Sequence, residues 1–267
     1  QLRQSILQMA VQGKLTAKWR EENPDVESAS VLLEKIKAEK EQLIKEGKIK
    51  RQKLLPPIAD EEKPFELPES WKLQRIGEIG YLKSGNSYNF KTGSESDIPY
   101  VKVGDMNLPE NKNEIKTSSI FYIYEDSVKS QLIPTNSIIF PKRGGAIATN
   151  KRKRVLIKEV LIDSNTMAVI VPKAINFEYF FLWFKTIDLR NFGNEAVIPQ
   201  VNNKDINPIP VPLPNQLEQK AIVSKVKQLM SWCDELEKKI EKRDTYQEKM
   251  MQAVVKQAFK KDVELME

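Results

Sequence analysis

Residues 215–261 read NQLEQKAIVSKVKQLMSWCDELEKKIEKRDTYQEKMMQAVVKQAFKK and contain neither proline nor glycine. Within them Ile222, Val226, Leu229, Cys233, Leu236 and Ile240 recur at alternating spacings of four and three, the seam of a coiled coil. Arg243 and Gln247 interrupt the seam, and Met250 and Val254 resume it. The spacing predicts one long helix that pairs with another helix rather than lying on a core. Cys233, the single cysteine, sits on the seam as a small buried hydrophobe.

The opposite end of the chain has similar texture. Leu2, Ile6, Met9 and Gly13 share one face of a helix over 1–17, with Gly13 a natural end to the regular turn. A second helix is predicted from about Ser28 to Lys45, capped by Ser28 or Ser30. Residues 2–15 align with 250–263, so like helices open and close the chain. Prolines 56, 57, 64 and 68 make 48–68 a linker that helix cannot cross.

Between Trp71 and Pro212 short apolar runs (IPYVKVGDM, NSIIFP, TMAVIVP) alternate with Gly, Asn, Ser and Pro, the texture of short strands. FEYFFLWFKT at 177–186 reads as one buried helix. The expected architecture is an α/β (α+β) globular domain over 67–213. It is flanked by N-terminal helices and a Pro-rich linker over 1–66 and by a long C-terminal helix over 214–267. The flanking helices are of antiparallel coiled-coil type.

Composition removes several chemistries. The chain has no histidine and one cysteine, so Ser-His and Cys-His nucleophiles and Cys/His zinc sites lack their residues. No disulfide can form within the chain, which fits a reducing cytoplasm. No apolar run reaches the ~18 residues of a membrane span, and no phosphate-loop motif occurs. Asn207-Pro208-Ile209-Pro210 lacks the aromatic residue of an adenine-methyltransferase motif. No catalytic residue, metal site or cofactor is expected. Lys and Arg number 43 against 37 Asp and Glu, a net charge of +6 that suits a polyanion.

The strongest charge feature is KRGGAIATNKRKRVLIK at 142–158, with Lys142, Arg143, Lys151, Arg152, Lys153, Arg154 and Lys158 and no acidic residue. Two further polar segments carry candidates for DNA contact: Lys83, Asn86 and Lys91 in LKSGNSYNFKTGSES at 82–96, and Asn202 and Lys204 in PQVNNKDI at 199–206. Lys102, after the run IPYV, completes the set. Loops of this composition let guanidinium, ammonium and carboxamide groups reach phosphates and base edges. Each also reads as a solvated surface turn.

Five phrases resemble specificity subunits of Type I restriction–modification enzymes: LRQSILQMAVQGKLTAKWR (2–20), LLEKIKAEKEQLIKEGKIK (32–50), PFELPESWKLQRIGEIG (64–80), IPYVKVGDMN (98–107) and PIPVPLPNQLEQKAIVSKVKQLMSWCDELE (208–237). They run in the family's order along essentially the whole chain. The resemblance implies a target-recognition domain reading half of a bipartite duplex DNA target, with spacer helices between two such domains. It implies docking of methyltransferase subunits, and of restriction subunits through the assembled complex. A full subunit of the family has two recognition domains and this chain has one. It is therefore expected to be half of a longer chain or a half-subunit that dimerises. The alternatives are a coiled-coil adaptor without DNA specificity and a self-contained nuclease.

Overall fold

The computed structural model describes residues 1–192 and 199–264. Residues 193–198, inside the expected recognition domain, and 265–267, at the end of the expected long helix, lie outside the described residues. Helix α1 (Leu2–Val11) stops where Gly13 takes a positive φ of 72°. A Cβ at Gly13 would also lie 2.8 Å from the Pro68 ring, so glycine is needed there twice over. The predicted 1–17 helix is thus broken, and the chain turns into α2 (Ala17–Glu22). Helix α3 (Ala29–Lys45) starts at Ser28, whose hydroxyl accepts from the Ser30 amide. It ends where Gly47, at φ 68°, lets the Lys48 amide return to the Leu43 carbonyl.

The domain begins with β1 (Lys72–Arg75), the turn α4 (Ile76–Ile79) and β2 (Tyr81–Ser84). Strands β3 (Ile98–Val101), β4 (Glu114–Ile115) and β5 (Phe121–Tyr122) follow, then the turn α5 (Asp126–Lys129). Next come β6 (Ser137–Pro141), the turn α6 (Gly145–Ala148), β7 (Arg154–Leu156), β8 (Leu161–Ile162) and β9 (Thr166–Ile170). The domain closes with α7 (Phe177–Thr186), the turn α8 (Asn203–Ile206) and β10 (Pro210–Leu213). Helix α9 (Gln216–Glu264) leaves it.

The central sheet has the order β2-β9-β6-β7-β4, and a smaller sheet has the order β5-β3-β8. Alternation in the central strands sends side chains to two cores. Ile138, Phe140, Met167 and Val169 pack with Phe180, Trp183 and Phe184 of α7. Ile139, Ala168 and Ile170 pack with Val101 and Ile162 of the small sheet. Strands β1 and β10 pair antiparallel from Lys72–Leu213 to Arg75–Pro210, which brings the domain's entry and exit together. Among the described residues β10 pairs only with β1, so Pro210 and Pro212 sit on an edge strand.

The N-terminal segment is not packed as a unit of its own. Val11, Leu32 and Ile36 belong to the α7-side core. The Pro-rich linker is irregular but anchored, because the buried Arg75 guanidinium donates to the carbonyls of Pro56 and Pro57 at 2.7 and 3.0 Å and pairs with Glu62. That pairing pulls the Glu62 carboxyl down to about 2.

Helix α9 departs from expectation in where its seam lies. Ile222, Val223, Val226 and Cys233 are buried in one cluster with Ile6 and Ala10 of α1, and with Trp71 and Tyr179. This stretch therefore both pairs with a helix and lies on the domain. Arg3 meets Asp234 and Glu237, while Thr16 meets Glu218, so α1 runs antiparallel to the first half of α9. Beyond Cys233 the seam loses its cover, and Leu236 and Ile240 are 52% and 48% exposed. Among the described residues no helix is long and apolar enough to cross a membrane.

These segments meet on one fully buried carboxylate. Glu218 accepts from the Thr16 hydroxyl at 2.7 Å, from the Trp71 indole at 2.8 Å and from the Arg20 guanidinium. Replacing it with Ala should lower the unfolding free energy by about 3–5 kcal/mol, because Arg20 is left without its partner. Glu218→Gln, which keeps part of the hydrogen bonding, should cost less. Urea unfolding of the two variants checks this, and equal costs would show that the hydrogen bonds a neutral carboxamide keeps contribute nothing.

Candidate nucleic-acid interface

Three candidate segments converge at one end of the central sheet. There β2 and β6 finish and β9 begins, since Ser84 is opposite Met167 and Pro141 opposite Thr166. Gly85 then lies against the β8 exit so closely that a Cβ would overlap the carbonyl oxygens of Ile162 and Asp163. The Gly85 amide donates to the Thr166 carbonyl at 3.0 Å and the Asn86 amide to the Ile162 carbonyl at 3.1 Å. The Lys142 amide donates to the Asn165 carbonyl at 2.6 Å, and its ammonium stands 3.4 Å from the Ser84 hydroxyl.

The third segment joins through Gln200. Arg143 bridges it in antiparallel register, with the guanidinium 2.9 Å from the carboxamide oxygen. The Gln200 amide group then donates to Asn202 at 2.8 Å, and Asn202 opens α8 with exposed Lys204 following. Lys102 leaves β3 beside the same end, its ammonium 5.6 Å from the Tyr100 ring centre. Arg152 reaches Asn107, 2.6 Å away, and Lys151 is exposed. The result is a rim carrying Asn86, Lys102, Lys142, Arg143, Lys151, Arg152, Asn202 and Lys204. Lys91 lies farther along, on a segment that runs back beside β5.

Three of the candidate bases turn inward instead. Lys83 donates to the carbonyls of Ser130 and Leu132 at 2.9 and 3.1 Å, and burial lowers its ammonium pKa. Arg154 caps carbonyls of Asn111, Met106, Lys151 and Lys153. Lys153 is 7% exposed, donates to the carbonyls of Phe184 in the last turn of α7 and of Ile187 just after it, and stands 5.2 Å from the Phe184 ring centre. Burial pushes its pKa down to about 8, opposed by the nearby Asp188 carboxylate. These side chains are occupied by orphan carbonyls that the strands and helix ends leave over. Of the candidate DNA contacts, Lys83, Lys153 and Arg154 are thus placed inward rather than on the rim.

Gln200, within the third candidate segment but not among the named contacts, ties two of the segments, and Asn107, which sequence reading did not single out, holds Arg152. Neither sits in a pattern that predicts its partner, and only the long-range pairing gives them a place.

Residues 68–243 match the sequence profile of the Type I restriction modification DNA specificity domain. The chain belongs to that family. Among relatives of this specificity domain, the Type I restriction enzyme EcoAI specificity subunit of Escherichia coli is 31% identical over 245 residues, covering 88% of this chain and 40% of that protein. The EcoEI specificity subunit of Escherichia coli is 26% identical over 265 residues, covering 90% and 42%. The chain thus spans less than half the length of these two relatives. The HsdS subunit from Thermoanaerobacter tengcongensis shares the fold with a TM-score of 0.52 at 16% identity, over 87% of this chain and 52% of that one.

Lys153 gives a stability signature with a definite sign. Between about pH 8 and the ordinary lysine range near 10.5 the unfolded chain holds more protons than the native one. Stability contributed through this group therefore rises with pH across that window, by at most about 3 kcal/mol. The gain between pH 7.5 and 10 should be smaller in Lys153→Met than in the parent chain. Denaturant unfolding at the two pH values reads the difference, and identical gains would show that the ammonium is not desolvated.

Proposed function

We propose that this chain reads one half of a bipartite duplex DNA target, as the non-catalytic specificity element of a Type I restriction–modification assembly. The observation that carries the reading is the convergence of the three Lys/Arg/Asn segments on one end of the central sheet. Cations there supply sequence-independent affinity through phosphates, and carboxamides and guanidinium forks have the geometry for base edges. Family membership agrees, since the relatives are specificity subunits of Type I restriction enzymes.

Residues 67–213 are the recognition domain in this reading, with 1–66 and 214–267 as the spacer and assembly segments. Methylation and cleavage are left to methyltransferase subunits and, through the assembled complex, restriction subunits. The chain carries no cofactor and works in the cytoplasm. The exposed stripe of Leu236, Ile240, Met250 and Val254 on α9 supports a further role. An uncovered apolar seam is a liability for a lone helix and a natural face for a helix of a second chain, whether another copy or a methyltransferase subunit.

Replacing Lys142, Arg143, Lys151 and Arg152 with Ala should weaken binding to every duplex alike. The slope of log affinity against log salt should flatten by roughly one unit for each phosphate that is no longer neutralised. Gel shifts across a salt series test this; unchanged affinity and slope in a folded variant would overturn the assignment of the rim. For the stripe, Leu236→Glu with Ile240→Glu should leave the domain folded, because both side chains are already half exposed. The double variant should lose association with a second copy or a methyltransferase subunit. Sedimentation with and without that subunit reads the outcome, and association equal to that of the parent chain would overturn it.

A further inference from the structure

The segment between Gly85 and Ile98 is irregular by secondary structure, yet its first half is held at nearly every residue. The Tyr100 hydroxyl donates to the Asn86 carbonyl at 3.0 Å and the Tyr122 hydroxyl to the Tyr88 carbonyl at 3.2 Å. The Ile123 amide donates to the Lys91 carbonyl at 3.0 Å, and Thr92 bridges Tyr122 in antiparallel register. Tyr88 and Phe90 stack at 5.1 Å, and each meets a tyrosine of the small sheet edge-on, at 5.8 and 5.7 Å. An aromatic platform therefore fixes the segment.

The fixing imposes a two-residue alternation. Tyr88 and Phe90 face the platform and are partly covered, while Ser87, Asn89 and Lys91 are exposed. Among the described residues the side chains of Ser87, Asn89 and Lys91 make no hydrogen bond, unlike Arg143, Arg152 and Asn202 on the rim. Reading a base edge needs unspent donors and acceptors on a backbone that is already ordered, so that binding costs little conformational entropy. Asn89 meets both conditions. Its carboxamide has the donor–acceptor pair that matches adenine in the major groove.

We propose that residues 87–91 form a base-reading strand in which Asn89 determines specificity at one adenine-containing base pair. Lys91, two residues on along the same face, contacts phosphate. Glu95 and Asp97 follow and end the stretch that can approach a polyanion. This rests on the DNA-reading function proposed above and names a specificity residue within it.

The test selects preferred sites from randomised duplex DNA with the whole chain, with Asn89→Ala and with Lys91→Ala, and measures salt slopes for each. Asn89→Ala should lose a preference of about tenfold to a hundredfold at one adenine position, with the salt slope unchanged. Lys91→Ala should select the parent motif with a slope lower by about one unit. The proposal is overturned if Asn89→Ala selects the parent motif. It is overturned equally if that variant binds all sequences more weakly by the same factor, with its adenine preference intact, which would make Asn89 a sequence-independent contact. A parent chain that selects no motif at all would instead overturn the DNA-reading function, and this inference with it.

Discussion

The buried carboxylate of Glu218 is the constraint on which the arrangement of the chain depends. A lone charge in that position would be strongly unfavourable, so the fold must bring donors to it. It recruits them from far apart in sequence: Thr16 and Arg20 from the N-terminal turns and Trp71 from the domain entry. The hub sits in the first turn of α9, whose amide at the same residue is capped by Asn215 at 2.9 Å. Where α9 starts is thus decided at Glu218. The direction in which it leaves is decided by α1 packing beside it up to the Arg3 pairs with Asp234 and Glu237.

The parts of this architecture written in local patterns were legible in the sequence. Ser28 as a cap, the break at Gly13, the aromatic helix over Phe177–Thr186 and the long helix after Pro214 all follow from spacing and turn chemistry over a few residues. What the coiled-coil seam could not say is what covers it. Apolar residues at spacings of four and three mark a face to be buried, and the identity of the partner is a long-range fact. Here one seam meets two fates, α1 with the domain up to Cys233 and open solvent from Leu236.

The same limit governs the candidate site. In the run Lys151-Arg152-Lys153-Arg154 the four cations look alike, and sequence assigned them one role. Their roles divide according to which carbonyls lie within reach. Lys153 is drawn under the exit of α7, where two carbonyls and the face of Phe184 replace its water, and Arg154 is drawn into the segment between β3 and β4. Lys151 meets no such demand and stays in solvent. The three-segment composition of the rim was readable from charge and Asn content. Which residues on it remain unspent was not.

The inward and outward cations also keep the two surfaces of the molecule apart. A side chain that caps a carbonyl inside the domain cannot change without leaving that group orphaned, so Lys83, Lys153 and Arg154 are tied to the fold. A side chain such as Asn89 or Lys151 can change with little effect on stability, because it touches nothing that the fold requires. The helical surface is anchored elsewhere, through Glu218 and the packing of α1 on α9, none of which includes a rim residue. Variation at the exposed rim is therefore nearly free of cost to either the core or the helices. What would couple the two surfaces is a change at α7, which packs on α9 through Tyr179 and receives the basic loop through Lys153 at its other end. A shift of that helix moves the basic loop and α9 together, so the relative placement of the two surfaces is set by how α7 is seated in the core.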